Sequence, residues 1–348
     1  MKRLSVLILL FAVAALGPAQ AADPPVVIKF SHVLPPATPK GKAAEKFKEL
    51  AEGYTGGAVK VEVYPNGQLY KDRDEITALQ LGAVQMLAPS LSQLGPLGVR
   101  EFEIFDLPYL FPNKATLHRV MDGDIGRQLL VRLEPKGIKG VAYWDNGFKQ
   151  MSANRPLREV KDFKGLKMRI QSSKVLDAQM RTLGAVPQVI VQSEVRAKLA
   201  TGAIDGTENT LSNFYTQGLN EVQRYLTLSD HSYLGYAVVV NKTFWEGLKP
   251  DIRSQLERAM KEATAYEREI AEEENNDALA KLKAAGTTEI YILPNEERRV
   301  WQKALLPMHE QFADVLGKGT IQSIYRIAAE VAKQDRQRNG YASQAGQK

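Results

Sequence analysis

The 348 residues include no cysteine. No disulfide can form, no thiolate can act as nucleophile or ligand, and no residue is available for a lipoprotein anchor. The compartment therefore has to be read from something other than thiols. Histidine is scarce as well. The four present, His32, His118, His231 and His309, fall in neither an HExxH nor a paired metal spacing. No GxGxxG, P-loop or GxSxG occurs, so neither a nucleotide site nor a serine nucleophile elbow is signalled. Basic and acidic residues alternate throughout. The absence of a basic tract interleaved with aromatics argues against a nucleic-acid partner. The acidic pairs Asp72/Asp74 and Asp122/Asp124 sit in polar helix starts or turns, where capping and solvation account for them. "EEENND" at 272–277 reads as a solvated helix face. These absences predict a protein that is not an enzyme and uses no cofactor or metal.

What is present begins with a leader. Lys2 and Arg3 precede the apolar run "LSVLILLFAVAALG", and "AQA" at 19–21 follows with the small-x-small pattern of a cleavage site. The run is short for a span. A secretory signal peptide is expected over residues 1–21, cut after Ala21 or Ala22. No other stretch is apolar enough to cross a bilayer. Removing Lys2 and Arg3 lowers the formal net charge from +6 to +4. That mild positive balance suits an anionic ligand without identifying one. The apolar share, 44%, is that of a soluble globular chain, and the length allows two lobes with separate cores.

Strand and helix patterns alternate along the chain. "PVVIKFSHV" (25–33) is rich in β-branched residues. In "TPKGKAAEKFKELAEG" Thr38 suits the cap, Pro39 the first helical position, and Ala43, Ala44, Phe47, Leu50 and Ala51 one helical face. "AVKVEVYP" alternates like a strand, "DRDEITALQLG" like a helix, and "AVQMLAPSL" supplies a third strand. This order predicts an α/β fold with a parallel sheet, whose ligands bind beyond the carboxyl ends of the strands. "FEIFDLPYLFPN" (102–113) reads as loop and core packing. "KGIKGVAYWDNG" is another strand unit. A second series follows: "LKMRIQ", a helix through 174–183, "VPQVIV", a helix through 193–201, and "GAIDGTEN". "YAVVVNKTFWEGL" (236–248) reads as a long buried strand. From Asp251 the helical period runs on to about residue 285. As one helix it would span roughly 50 Å and brace two lobes; a break near Asn275–Asn276 is the competing reading. The polar tail 336–348 is expected to be disordered.

Within "GLKMRIQSS" (165–173), Leu166, Met168 and Ile170 share one parity while Arg169 takes the other, near a strand's carboxyl end. A guanidinium fork there can hold a carboxylate through two parallel hydrogen bonds. Lys149, in the preceding strand-like "DNGFKQMSAN", offers a second, point-like charge. Asn209, at the end of "DGTEN", offers an amide in a loop beyond another strand end. A surface arginine, a surface lysine and a turn asparagine fit the same pattern.

From "LKMRIQSSKVLDAQMRTLGAVPQVIVQSEVRAKLATGAIDGTENTLSNFY" onward to "GYAVVVN", and earlier in "IKFSHVLPPATPKGKAAEKF", "NGQLYKDRDEITALQLGAVQMLAPSLS" and "FDLPYLF", the chain resembles the solute-binding proteins of tripartite ATP-independent periplasmic (TRAP) transporters. It is most similar to the branch that binds four-carbon dicarboxylates. The resemblance covers nearly the whole chain beyond the leader. It implies a ligand-anchoring role for Arg169 and a partner role for Asn209. Lys149 would be the second contact, where many relatives outside this branch carry arginine. His32, Ser90 and His231 would line the cleft.

It further implies a two-lobed periplasmic binding protein fold of type II-like form, with crossing strands and a long helix bracing both lobes. The first lobe would take residues 23–146 and 235–274, the second 147–234 and 275–335. The chain would cross near Asn146–Gly147 and Leu234–Gly235. The implied function is periplasmic capture of a small organic acid, with succinate, fumarate and malate foremost. Its partners would be the small and large membrane subunits of a TRAP transporter, and the protein itself a monomer. A binder of uronates or aromatic acids, a sensory ligand-presenting protein and a periplasmic hydrolase are the rival readings.

Overall fold

The computed structural model describes residues 24–345, with side chains to 338. The expected leader, 1–21, lies outside the described residues. Among them, no helix is long and apolar enough to cross a membrane.

Nine strands form one sheet: β1 (Val26–Ser31), β2 (Val59–Tyr64), β3 (Met86–Leu87), β4 (Ile138–Ala153), β5 (Lys167–Ile170), β6 (Val186–Val189), β7 (Gly206–Asn209), β8 (Tyr225–Asn241) and β9 (Glu289–Ile292). Their order is β2-β1-β3-β8-β4-β7-β5-β6, with β9 beside β8. β1, β2 and β3 run parallel, as do β5, β6 and β7. The two parallel groups are joined by the long antiparallel pair β4–β8, which runs in register from Ile138↔Asn241 to Ala153↔Tyr225. The pairing slips three times, between Gly140 and Ala142, between Asp145 and Gly147, and between Lys149 and Met151. The middle slip faces Leu234–Gly235, so the expected crossings and this irregularity coincide. Gly147 adopts φ +138° there, a conformation that side chains disfavour.

The helix Pro250–Ala285 is continuous over 36 residues, roughly 54 Å. No break occurs at Asn275, because that side chain serves the helix and its neighbours: Nδ2 donates to Ala271 O and Asn146 O, both at 2.6 Å, and Oδ1 accepts from Ser212 N at 3.1 Å. The helix packs on Pro39–Tyr54 beside the β1–β3 group and on Leu211–Thr216 beside the β5–β7 group. Lys42 pairs with Glu274, and Tyr54 Oη donates to Glu262 at 2.5 Å. The segment after 286 also touches both halves. Trp301 meets Phe163 edge-on at 5.1 Å, and His309 Nε2 donates to Pro108 O at 2.7 Å.

The first apolar core gathers Phe30, Phe47, Trp144, Tyr236 and Trp245. A second spans Phe102, Phe105, Phe163, Met168 and Trp301, and a third Phe214, Leu219 and Leu226. The 102–113 patch is core, as expected, with Phe105 and Phe111 stacked at 5.7 Å.

Three expectations need correction. The long buried strand starts earlier and stops at Asn241. Lys242–Gly247 is a helix, because Asn241 Oδ1 accepts from Phe244 N at 2.8 Å and caps it. The third strand is only two residues long. The polar stretch from 336 continues the final helix to Ala345.

Candidate functional site

The carboxyl ends of the two parallel groups face one another, and the site lies between them. Lys40 follows β1, Asp72 follows β2 and Ser90 follows β3. From the other side come Arg169 and Gln171 at the end of β5, Gln192 beyond β6, and Asn209 ending β7. This is where an α/β sheet places its ligands. These side chains, with Lys149, Glu208 and Tyr236, line a cavity of ≈ 20 Å³. A cavity of ≈ 260 Å³ adjoins it and shares Asp72 and Gln171, forming a mouth. The larger groove of ≈ 510 Å³ between the long helix and Met121–Leu130 lies elsewhere and contains none of the predicted residues.

Arg169 is 4% exposed although its strand alternates. Met168, Arg169 and Ile170 are all buried, since β5 is covered on both faces and only Lys167 reaches solvent. Its Nε donates to Ile190 O at 3.0 Å. That bond orients the fork, and neither terminal nitrogen has an acceptor among the described residues. Burial lowers its pKa from the usual value while Asp72 and Glu208 oppose the shift; the guanidinium stays charged.

Asn209 uses Oδ1 to accept from Thr210 N at 3.0 Å, which leaves its amide nitrogen without an acceptor among the described residues. Ser90 Oγ accepts from Gln171 Nε2 at 2.8 Å across the cleft. Asp72 Oδ2 likewise accepts from Gln192 N at 2.7 Å. These two polar contacts tie the halves together.

Lys149 lines the cavity but is paired with Glu208 at hydrogen-bond contact. Glu208 also accepts from Gln179 Nε2 at 2.8 Å and meets His231 Nε2 at 2.9 Å. Burial alone raises the Glu208 carboxyl; Lys149 and His231 override it and hold the group well below the carboxylate range. Burial lowers the His231 pKa, so the neutral ring donates from Nε2 to Glu208 and accepts from Ser229 Oγ at Nδ1, 2.8 Å away. His231 thus supports Glu208 from behind and is not part of the cavity wall. His32 is also absent from the wall. It is 1% exposed, and neither ring nitrogen has a hydrogen-bond partner among the described residues.

The residue that sequence reasoning missed is Lys40, 1% exposed in the first turn of Pro39–Tyr54. Its Nζ donates to Ala88 O at 3.0 Å and stands 4.0 Å from the centre of the Tyr236 ring. A signal existed. A helix N-terminus disfavours cations, and this first turn contains lysine and no acid. Among the described residues no cluster of three potential metal ligands occurs. The site therefore brings three cations, Lys40, Lys149 and Arg169, and neutral donors together with two carboxylates, of which Glu208 is paired with Lys149 and Asp72 accepts from Gln192 N, an arrangement suited to anion capture.

Known proteins bear on this geometry. The family model for bacterial extracellular solute-binding proteins, family 7, matches residues 30–314. A C4-dicarboxylate-binding periplasmic protein of Rhodobacter capsulatus is 60% identical over 306 residues, covering 88% of this chain and 92% of its own. A TRAP periplasmic solute-binding protein of Sulfurospirillum deleyianum, solved with bound succinate, superimposes with a TM-score of 0.84 at 43% identity, covering 87% of this chain and 99% of its own. A counterpart from Pseudomonas aeruginosa, solved with L-malate, gives 0.80 at 43% identity, covering 82% and 100%.

Proposed function

Because the chain belongs to the bacterial extracellular solute-binding proteins of family 7, we propose that it captures four-carbon dicarboxylates in the periplasm and delivers them to the small and large membrane subunits of a TRAP transporter. Succinate, fumarate and malate are the ligands of this reading. The protein binds and releases; it performs no covalent step. It acts as a monomer whose two lobes close by bending where the chain crosses at Asn146–Gly147 and Leu234–Gly235.

The observation that carries the reading is the buried guanidinium of Arg169, pinned by Ile190 O with both terminal nitrogens facing no protein acceptor. A buried cation without a partner is costly, and a ligand carboxylate supplies that partner bidentately. The ≈ 20 Å³ between the halves holds about one water. A diacid therefore enters with the lobes apart, and closing over it excludes water and strengthens the ion pairs.

Calorimetry with succinate on wild type, Arg169→Ala and Arg169→Lys tests this reading. Removing one partner of a buried charge pair costs about 2–5 kcal/mol, so Arg169→Ala should bind at least tenfold more weakly. Arg169→Lys should recover only part of the loss, because a point charge does not bond bidentately. Wild-type affinity in Arg169→Ala would remove Arg169 from the site; no binding of any four-carbon diacid by wild type would end the dicarboxylate reading.

A further inference from the structure

Building on the dicarboxylate reading above, we infer that Lys40, and not Lys149, is the cation that holds the second carboxylate of the ligand. Sequence position favours Lys149, twenty residues before Arg169 and close to the first crossing. The structure shows what that ammonium already faces. Glu208 sits against it at hydrogen-bond contact, both side chains are almost wholly buried, and Gln179 and His231 complete the Glu208 carboxylate. The pair is self-neutralised. A diacid arriving there would have to compete with a carboxylate fixed by three donors.

Lys40 is in the opposite situation. Among the described residues no carboxylate lies within the 4.0 Å of an ion pair. Of its three N–H donors one is used by Ala88 O, and the face of Tyr236 takes up part of the remaining charge. Three carboxylates feel Lys40 from further away, Glu75, Asp72 and Glu267. Asp72 is engaged by Gln192 N at the rim. Glu75 and Glu267 are buried, and burial pushes both carboxyls up, Glu75 against the attraction of Lys40. Burial lowers the Lys40 ammonium to about 8, still protonated at pH 7.

The placement fits a ligand with two charged ends. Lys40 and Ser90 come from the β1–β3 half, Arg169 and Asn209 from the β5–β7 half, and all four line one cavity. Ser90 accepts from Gln171, so its own hydroxyl hydrogen is free to donate alongside the Lys40 ammonium. A diacid would then bridge the halves, one carboxylate on each. A monoacid would satisfy Arg169 and leave Lys40 unpaired. Closure and selection for a second carboxylate become the same event.

The test compares succinate with butyrate, which has the same carbon count and one carboxylate, by calorimetry at pH 7. Lys40→Met keeps the apolar stem without the charge, and its succinate-to-butyrate affinity ratio should fall about thirtyfold or more from that of wild type. The double change Lys149→Met with Glu208→Gln removes the other pair together; both residues line the same cavity, so it weakens both acids, but its succinate-to-butyrate ratio should fall far less than that of Lys40→Met. A ratio retained in Lys40→Met, or lost in the double variant alone, overturns the inference while leaving the dicarboxylate reading intact. Absence of any succinate preference in wild type overturns both.

A second measurement needs no substitution. With lysine labelled at Cε, the Lys40 resonance in wild type should titrate at higher pH with succinate bound than with butyrate bound. An identical midpoint with both acids also overturns the inference.

Discussion

His32 illustrates what a single side chain can impose on the whole. It is buried without a hydrogen-bond partner for either nitrogen among the described residues, and burial together with the nearby Lys40 charge pushes its pKa down to about 3. The unfolded ring titrates near 6.5. Between these values the unfolded state binds more protons than the folded one, so this contribution to stability is present above about pH 6.5 and is lost as the pH falls toward 3. From pH 7 to pH 4.5 it amounts to about 2–3 kcal/mol. Urea unfolding of wild type and His32→Leu at both pH values checks this. The difference between the two pH values should shrink by about that amount in the variant. An unchanged difference would mean that the ring is not held neutral. The residue scale also separates two lysines that look alike on paper. Lys149 meets a carboxylate and Lys40 meets a carbonyl and a ring, and only the second arrangement leaves charge for a ligand.

At the scale of elements, the proposed hinge falls in the β4–β8 pair. Its middle register slip places Gly147 at φ +138°, where a Cβ would also stand 3.2 Å from Asn275 Nδ2 on the long helix. That amide is committed to Asn146 O and Ala271 O and has little freedom to retreat. Gly147→Ala therefore combines backbone strain with a close contact. It should cost about 1–3 kcal/mol, lowering Tm by several degrees in a chain of this size. Differential scanning calorimetry gives the answer; an unaltered Tm would show that the slip tolerates a side chain and that the glycine is not required there. Asn146 is tied in too: its Nδ2 donates to Tyr236 Oη at 2.7 Å and to Asn213 Oδ1 at 3.2 Å. The crossing is thus linked by side-chain hydrogen bonds to Tyr236, which faces Lys40.

For the molecule as a whole, the polar contacts across the cleft include Ser90–Gln171, Asp72–Gln192 and the Glu103 carboxylate accepting from Lys174 N at 3.2 Å. Such contacts exchange readily with water, whereas the apolar core that includes Phe102, Phe105, Phe163 and Trp301 spans both halves. The long helix and the segment after 286 contact both halves and, in the proposed hinge motion, would keep them connected. Solution scattering should accordingly show a smaller radius of gyration on adding saturating succinate. Ligand at 100 times its dissociation constant should raise folding stability by about 2.7 kcal/mol. A scattering profile that does not respond, in a sample whose melting point does, would separate binding from closure and leave hinge bending without support.

The alternation of strands and helices, the placement of Arg169 near a strand's carboxyl end and the caps at Thr38 and Pro39 were legible because they rest on local periodicity and local chemistry. The fate of the strand after Val240 was not, since Phe244 and Trp245 suit a buried strand equally well and only the Asn241 cap turns them into a helix. Nor was the unbroken course of the long helix, which depends on partners for Asn275 that are far away in sequence. Charge pairing was hidden most deeply. Residue types announce which groups carry charge, but whether a buried charge is already satisfied depends on distances of a few ångströms between segments remote in the chain: Lys149 and Glu208 are 59 residues apart, Lys40 and Ala88 48. By itself the sequence determined the fold class and pointed to Arg169; only the tertiary structure decided which buried cation already has a carboxylate partner, because electrostatic energy follows separation in space and not along the chain.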